Sequence, residues 1–88
     1  MAAQTVADQT GVCADGAKVV DCLRSKCGER RRGVGVAEGQ RVMEVWASEA
    51  SGSWTIVMTL PDGSSCLIAA GEDWEPLADP TPVAGRGA

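Results

Sequence analysis

RVMEVWASEASGSWTIVMTLPDGSSCLIAAGEDW, residues 41–74, decides the fold. It reads as three short strands joined by two tight turns. Leu60-Pro61-Asp62-Gly63-Ser64 carries the sharper turn signal. Pro61 presets the first corner, Asp62 suits the second, and Gly63 can adopt φ > 0, as a type I turn closed by a G1 bulge requires. A loop of that length pairs Leu60 with Ser64. Counting outward opposes Met58 to Cys66, Ile56 to Ile68 and Trp54 to Ala70, all on one side because side chains alternate with period two.

The earlier turn, Glu49-Ala50-Ser51-Gly52, is a four-residue loop if Ser48 pairs with Ser53. Ala47 then meets Trp54, Val45 meets Ile56 and Met43 meets Met58. A slip of one residue would oppose Glu44 to Ile56, so the first register is preferred. One face therefore holds Met43, Val45, Ala47, Trp54, Ile56, Met58, Cys66, Ile68 and Ala70. The other holds Val42, Glu44, Trp46, Thr55, Val57, Thr59, Ser65, Leu67 and Ala69.

Upstream, Cys13 to Gly28 has helical character. Val19, Val20, Leu23 and Cys27 recur at short helical steps, Asp15 stands where a cap belongs, and Gly28 where a left-handed stop belongs. Laid over the Met43–Ile56–Cys66 face, this helix completes an α+β fold, one N-terminal helix on a three-stranded antiparallel β-meander. The domain runs over residues 13–77. Residues 1–12 read as a flexible leader, residues 78–88 as a disordered tail rich in Pro and Gly. Residues 29–39, with Arg30-Arg31-Arg32 and three glycines, read as a solvated loop.

With helix and sheet so assigned, the Trp46, Val57, Leu67 diagonal is left on the outer face. Exposed apolar patches that include Trp mark partner sites, so the expectation there is a protein partner or self-association, unless Trp74 and Leu77 fold back to cover the patch.

Composition narrows the chemistry. The 88 residues contain no His, which removes the commonest general base and metal ligand. Twelve acidic against eight basic side chains leave a net charge of −4, without the basic footprint of a nucleic-acid binder. No apolar run approaches the ~20 residues of a membrane-spanning helix. No phosphate-loop or dinucleotide pattern appears, and no cofactor is expected. Glu72, Asp73 and Glu75 read as a solvated acidic turn rather than an acid–base pair. Without a base for a nucleophile, the chain reads as non-enzymatic.

Four cysteines remain: Cys13, Cys22, Cys27 and Cys66. Their spacing lacks the short paired knuckles of zinc sites, so no metal is expected. Four cysteines allow three disulfide pairings. Cys13–Cys66 would tie helix to sheet, and Cys22–Cys66 is also within reach. Cys22–Cys27 is awkward in a regular helix, where five residues turn about 140° and climb ~7.5 Å; that pair needs a distorted last turn or stays reduced.

Val45-Trp46-Ala47-Ser48, Trp54-Thr55-Ile56-Val57, Pro61-Asp62-Gly63, Cys66-Leu67-Ile68-Ala69-Ala70-Gly71 and Trp74-Glu75 together resemble small exported proteins common in alphaproteobacteria. The likeness extends back through Gly28-Glu29 and the helix to Cys13. Such proteins begin with a signal peptide and have no assigned activity. Their usual two cysteines match Cys13 and Cys66, which implies that bridge and an oxidising compartment. Cys22 and Cys27 are extra, the latter where a Tyr often stands. The signal peptide is missing, and Ala2-Ala3-Gln4-Thr5 resembles a mature N-terminus behind a start Met. The resulting expectation is a periplasmic or secreted binding or structural module stapled by a disulfide. Its rival is an intracellular or phage-encoded interaction protein, an inhibitor or virion accessory, with reduced cysteines.

Overall fold

The computed structural model describes residues 11–77; the expected tail and all but the end of the expected leader lie outside them. Strand β1 (Cys13–Asp15) leads into helix α1 (Gly16–Ser25). Strand β2 (Arg30–Ala37) turns through a short 3₁₀ segment, Glu38–Gln40, into β3 (Arg41–Ala47). Strands β4 (Trp54–Thr59) and β5 (Ser64–Gly71) complete the chain order. The strands form one antiparallel sheet in the order β1-β5-β4-β3-β2.

The expected three-stranded meander is thus corrected to five strands: β3-β4-β5 forms its centre, and one strand is added at each edge. The β3–β4 register pairs Met43 with Met58, Val45 with Ile56 and Ala47 with Trp54, as the loop length requires. Both turns close as their residues dictate. Ser48 N–H donates to Ser53 O at 2.9 Å, and Leu60 N–H to Ser64 O at 2.8 Å. Gly63 takes φ +92°, and Asp62 Oδ1 accepts the Ser64 amide at 2.9 Å. The Ser64 amide and the Ser64 hydroxyl, which donates to the same oxygen at 2.7 Å, hold the exposed Asp62 carboxyl below its ordinary range.

The β4–β5 register holds only as far as Met58–Cys66 and Val57–Leu67. A bulge then leaves Ile68 without an opposite residue, so Ile56 meets Ala69 and Trp54 meets Gly71. Gly71 is needed there, because a Cβ would lie 2.8 Å from the Trp54 ring. The Trp54 indole N–H donates to Glu72 O at 3.0 Å, which ties the end of β5 to that ring.

The helix covers the face opposite to the one expected. Val19 and Leu23 pack with Trp46, Val57 and Leu67, each no more than 9 % exposed. Thr55 and Ser65 on the same face are buried as well. The small residues explain the choice. Gly16 N–H donates to Gly63 O at 2.9 Å, and a Cβ at Gly16 would meet that oxygen at 2.8 Å and Ser65 Oγ at 3.1 Å. The absence of a Cβ at Gly16 lets the start of the helix sit this close to the Gly63 turn and to Ser65. Burying five large apolar side chains at ~1.5–3 kcal/mol each makes this cluster the main source of stability.

Candidate interaction surface

Trp46, Val57 and Leu67, expected as a partner-binding patch, are instead buried as the floor of the core. Trp46 is fully buried because its one polar atom is satisfied: the indole N–H donates to Glu44 Oε1 at 3.0 Å. The other Glu44 oxygen lies 3.1 Å from Arg31 Nε. The Arg31 and Arg24 guanidinium groups sit over the indole, 5.0 and 5.4 Å from its centroid. Arg31, from the stretch expected to be a solvated loop, therefore seals one side of the core. Arg32 pairs at the surface with Glu49 at 3.0 Å.

Of the cysteines, Cys13 and Cys66 form a disulfide, and Cys22 and Cys27 are free thiols. The acidic turn residues Glu72, Asp73 and Glu75 are exposed. Trp74 is half-buried with its amide donating to Gly52 O at 2.9 Å, whereas Leu77 remains 85 % exposed. Among the described residues no group of three or more His, Cys, Asp or Glu side chains converges to hold a metal ion. No helix among them is long and apolar enough to cross a membrane.

Glu29, at the entry to β2, belongs to the stretch that the sequence reads as a solvated loop. It is 2 % exposed, with Oε2 accepting from Ser53 Oγ at 2.8 Å. Its Oε1 and the neighbouring Thr55 Oγ1 are buried without a partner within bonding geometry. Removal from water raises the Glu29 pKa, against the smaller opposing pull of the Ser53 and Thr55 hydroxyls.

Among the described residues, the far face of the sheet and the edge at β2 are without cover. The far face of the sheet carries Met43, Val45, Ile56 and Met58, half-buried and uncharged, with the Cys13–Cys66 bridge beside them. Among the described residues no helix or strand lies over it. The second surface is the free edge of β2, which among the described residues pairs only with β3, through every residue but the bulged Arg32. Val34 and Val36 on this strand are 64 % and 77 % exposed. Gly33 and Gly35 have open space where a Cβ would be. The Gly-Val-Gly-Val alternation was the legible strand signal, period two, beneath a glycine content that argues for a loop.

The fold and its bridge define a small disulfide-stapled α+β module. No family model, curated protein or solved structure matches the chain.

Proposed function

We propose that this chain is a non-enzymatic structural module of the periplasm or extracellular space, which assembles with a second copy of itself through the free β2 edge. One observation carries the reading: an eight-residue strand with exposed Val34 and Val36 ends the sheet without a partner among the described residues. An open edge of this length is a template for pairing. A second copy suits it because the edge complements itself. Antiparallel pairing about Val34 sets Val34 against its own copy and brings the arginines at the start of one strand toward Glu38 at the end of the other. The pairing also extends both apolar far faces into one continuous surface.

The Cys13–Cys66 bridge and the resemblance to exported proteins support the oxidising compartment. The lack of His and the exposure of Glu72, Asp73 and Glu75 support a role without catalysis.

Sedimentation across a wide concentration range tests the assembly. The wild type should approach twice the monomer mass as concentration rises. A Val34→Lys, Val36→Lys variant should stay monomeric with an unchanged circular dichroism spectrum and an intact disulfide. A wild type that sediments as a monomer throughout, or a lysine variant that dimerises as strongly, overturns it. Four free thiols in material alkylated directly in native cells would overturn the exported compartment separately.

A further inference from the structure

The end of α1 brings together the two cysteines that the structural disulfide leaves free. In a regular helix, residues five apart lie about 140° around the axis from each other. Here the last turn opens. The Cys22 carbonyl accepts Lys26 N–H at 2.9 Å and also Cys27 N–H at 3.2 Å. The second bond spans five residues, the wide π-type closure. Gly28 then turns at φ +65°, and Glu29 N–H reaches back to the Leu23 carbonyl at 2.9 Å.

The widened turn swings Cys27 round toward Cys22, whose side chain is among the groups that act on the Cys27 thiol. Both side chains are half-buried, and Cys27 packs against the Val19–Leu23–Trp46 cluster. Burial first, then the Glu29 carboxyl and the Cys22 thiol, push the Cys27 thiol up to about 11.

We infer that Cys22 and Cys27 are a redox-active dithiol, a second and reversible disulfide site that exchanges with a small disulfide oxidant of the glutathione class. Cys22 is the attacking thiol, since Cys27 stays protonated at neutral pH. The Cys22 sulfur, having lost its proton, bonds to one sulfur of the oxidant; the oxidant S–S bond breaks, and the departing sulfur takes up a proton. The Cys27 sulfur then loses its proton and attacks the mixed disulfide at Cys22, forming Cys22–Cys27 and releasing the second oxidant thiol. Two electrons and two protons leave the pair, and one disulfide becomes two thiols.

The two bridges differ in kind. Cys13–Cys66 joins residues 53 apart in sequence, whereas Cys22–Cys27 would close a loop of five or so residues. The short loop restricts the unfolded chain far less, so the second bridge is the more easily reduced. This inference is independent of the β2 pairing and holds in either compartment.

The test uses the full chain in mixtures of reduced and oxidised glutathione, quenched by alkylation, with free thiols counted by mass spectrometry. Cys13–Cys66 should remain closed while Cys22 and Cys27 disappear together in a single step. Cys27→Ser should retain a glutathione adduct on Cys22, Cys22→Ser should gain one on Cys27 far more slowly, and the wild type should retain none. As a check that needs no variant, the native wild type should take up one equivalent of a trivalent arsenical, which bridges two adjacent thiols. Two thiols that persist at the most oxidising ratio, adducts on both cysteines of the wild type, or no arsenical uptake would each overturn the inference.

Discussion

Cys13 and Cys66 are partners twice over: they face each other across the β1–β5 ladder and are joined by the disulfide. A three-residue edge strand has little to hold it to a sheet, so the covalent bond fixes both its position and its register. The bridge joins residues 53 apart, and chain-entropy arguments assign closures of that length up to ~4 kcal/mol. Cys13→Ser with Cys66→Ser should therefore lose about 2–4 kcal/mol in urea unfolding, and Cys22→Ser should lose much less. A loss below about 1 kcal/mol in the double variant would show that β1 is held by its other contacts.

Trp46 distinguishes a core from a docking surface. Its ring is fully buried under the helix, with the indole N–H bonded to Glu44. Trp46→Ala should cost about 3–5 kcal/mol of stability, the usual range for a buried aromatic. Met43→Ala on the far face should cost less, because Met43 is only partly buried. Urea midpoints measure both, and equal losses would mean that the two faces are equally covered in solution.

This inversion marks the limit of what the sequence makes legible. Alternation and loop length determine which residues share a face, and the β3–β4 register follows. They do not determine which face receives the helix, because both carry large apolar residues in alternate rows. The choice is made by Gly16 against Gly63 and Ser65, a contact between residues that look like turn and solvent positions. Strand β2 was hidden for a similar reason. Gly33 and Gly35 suggest a loop, yet an edge strand paired on one side tolerates them, and Arg31 is held by Glu44 across the ladder. The Ile68 bulge leaves no sequence mark beyond one more apolar residue than the register can use.

The glycines make this distinction measurable. Gly16→Ala would force a methyl group to within 2.8 Å of the Gly63 carbonyl oxygen, a backbone atom with no free rotation, so part of the helix must move. The expected cost is about 1–3 kcal/mol. Gly35→Ala meets nothing within 4 Å and lies at an ordinary strand position. It should be neutral or stabilising by up to ~1 kcal/mol, because alanine restricts the unfolded chain. Thermal unfolding of the two variants beside the wild type would settle the contrast; a benign Gly16→Ala would remove the proposed reason for the helix's choice of face.

Glu29 should make stability depend on pH. Burial raises its folded pKa above the unfolded value of 4.5, so between those two values the native chain holds more protons than the unfolded one. Stability contributed by that proton is fully present below 4.5 and is lost as pH rises through the folded pKa. Glu29→Gln has no charge to desolvate, and its amide oxygen can still accept from Ser53 Oγ. The variant should therefore match the wild type near pH 4 and exceed it at pH 7 to 8, measured by urea unfolding at each pH. Glu29→Gln should also bring Cys27 below about 11, because the carboxylate beside it is one of the causes that raise it. Alkylation of Cys27 at a fixed alkaline pH should then be faster in the variant. If the two unfolding profiles run parallel across the range, Glu29 is paired or hydrated in solution and its burial carries no electrostatic cost.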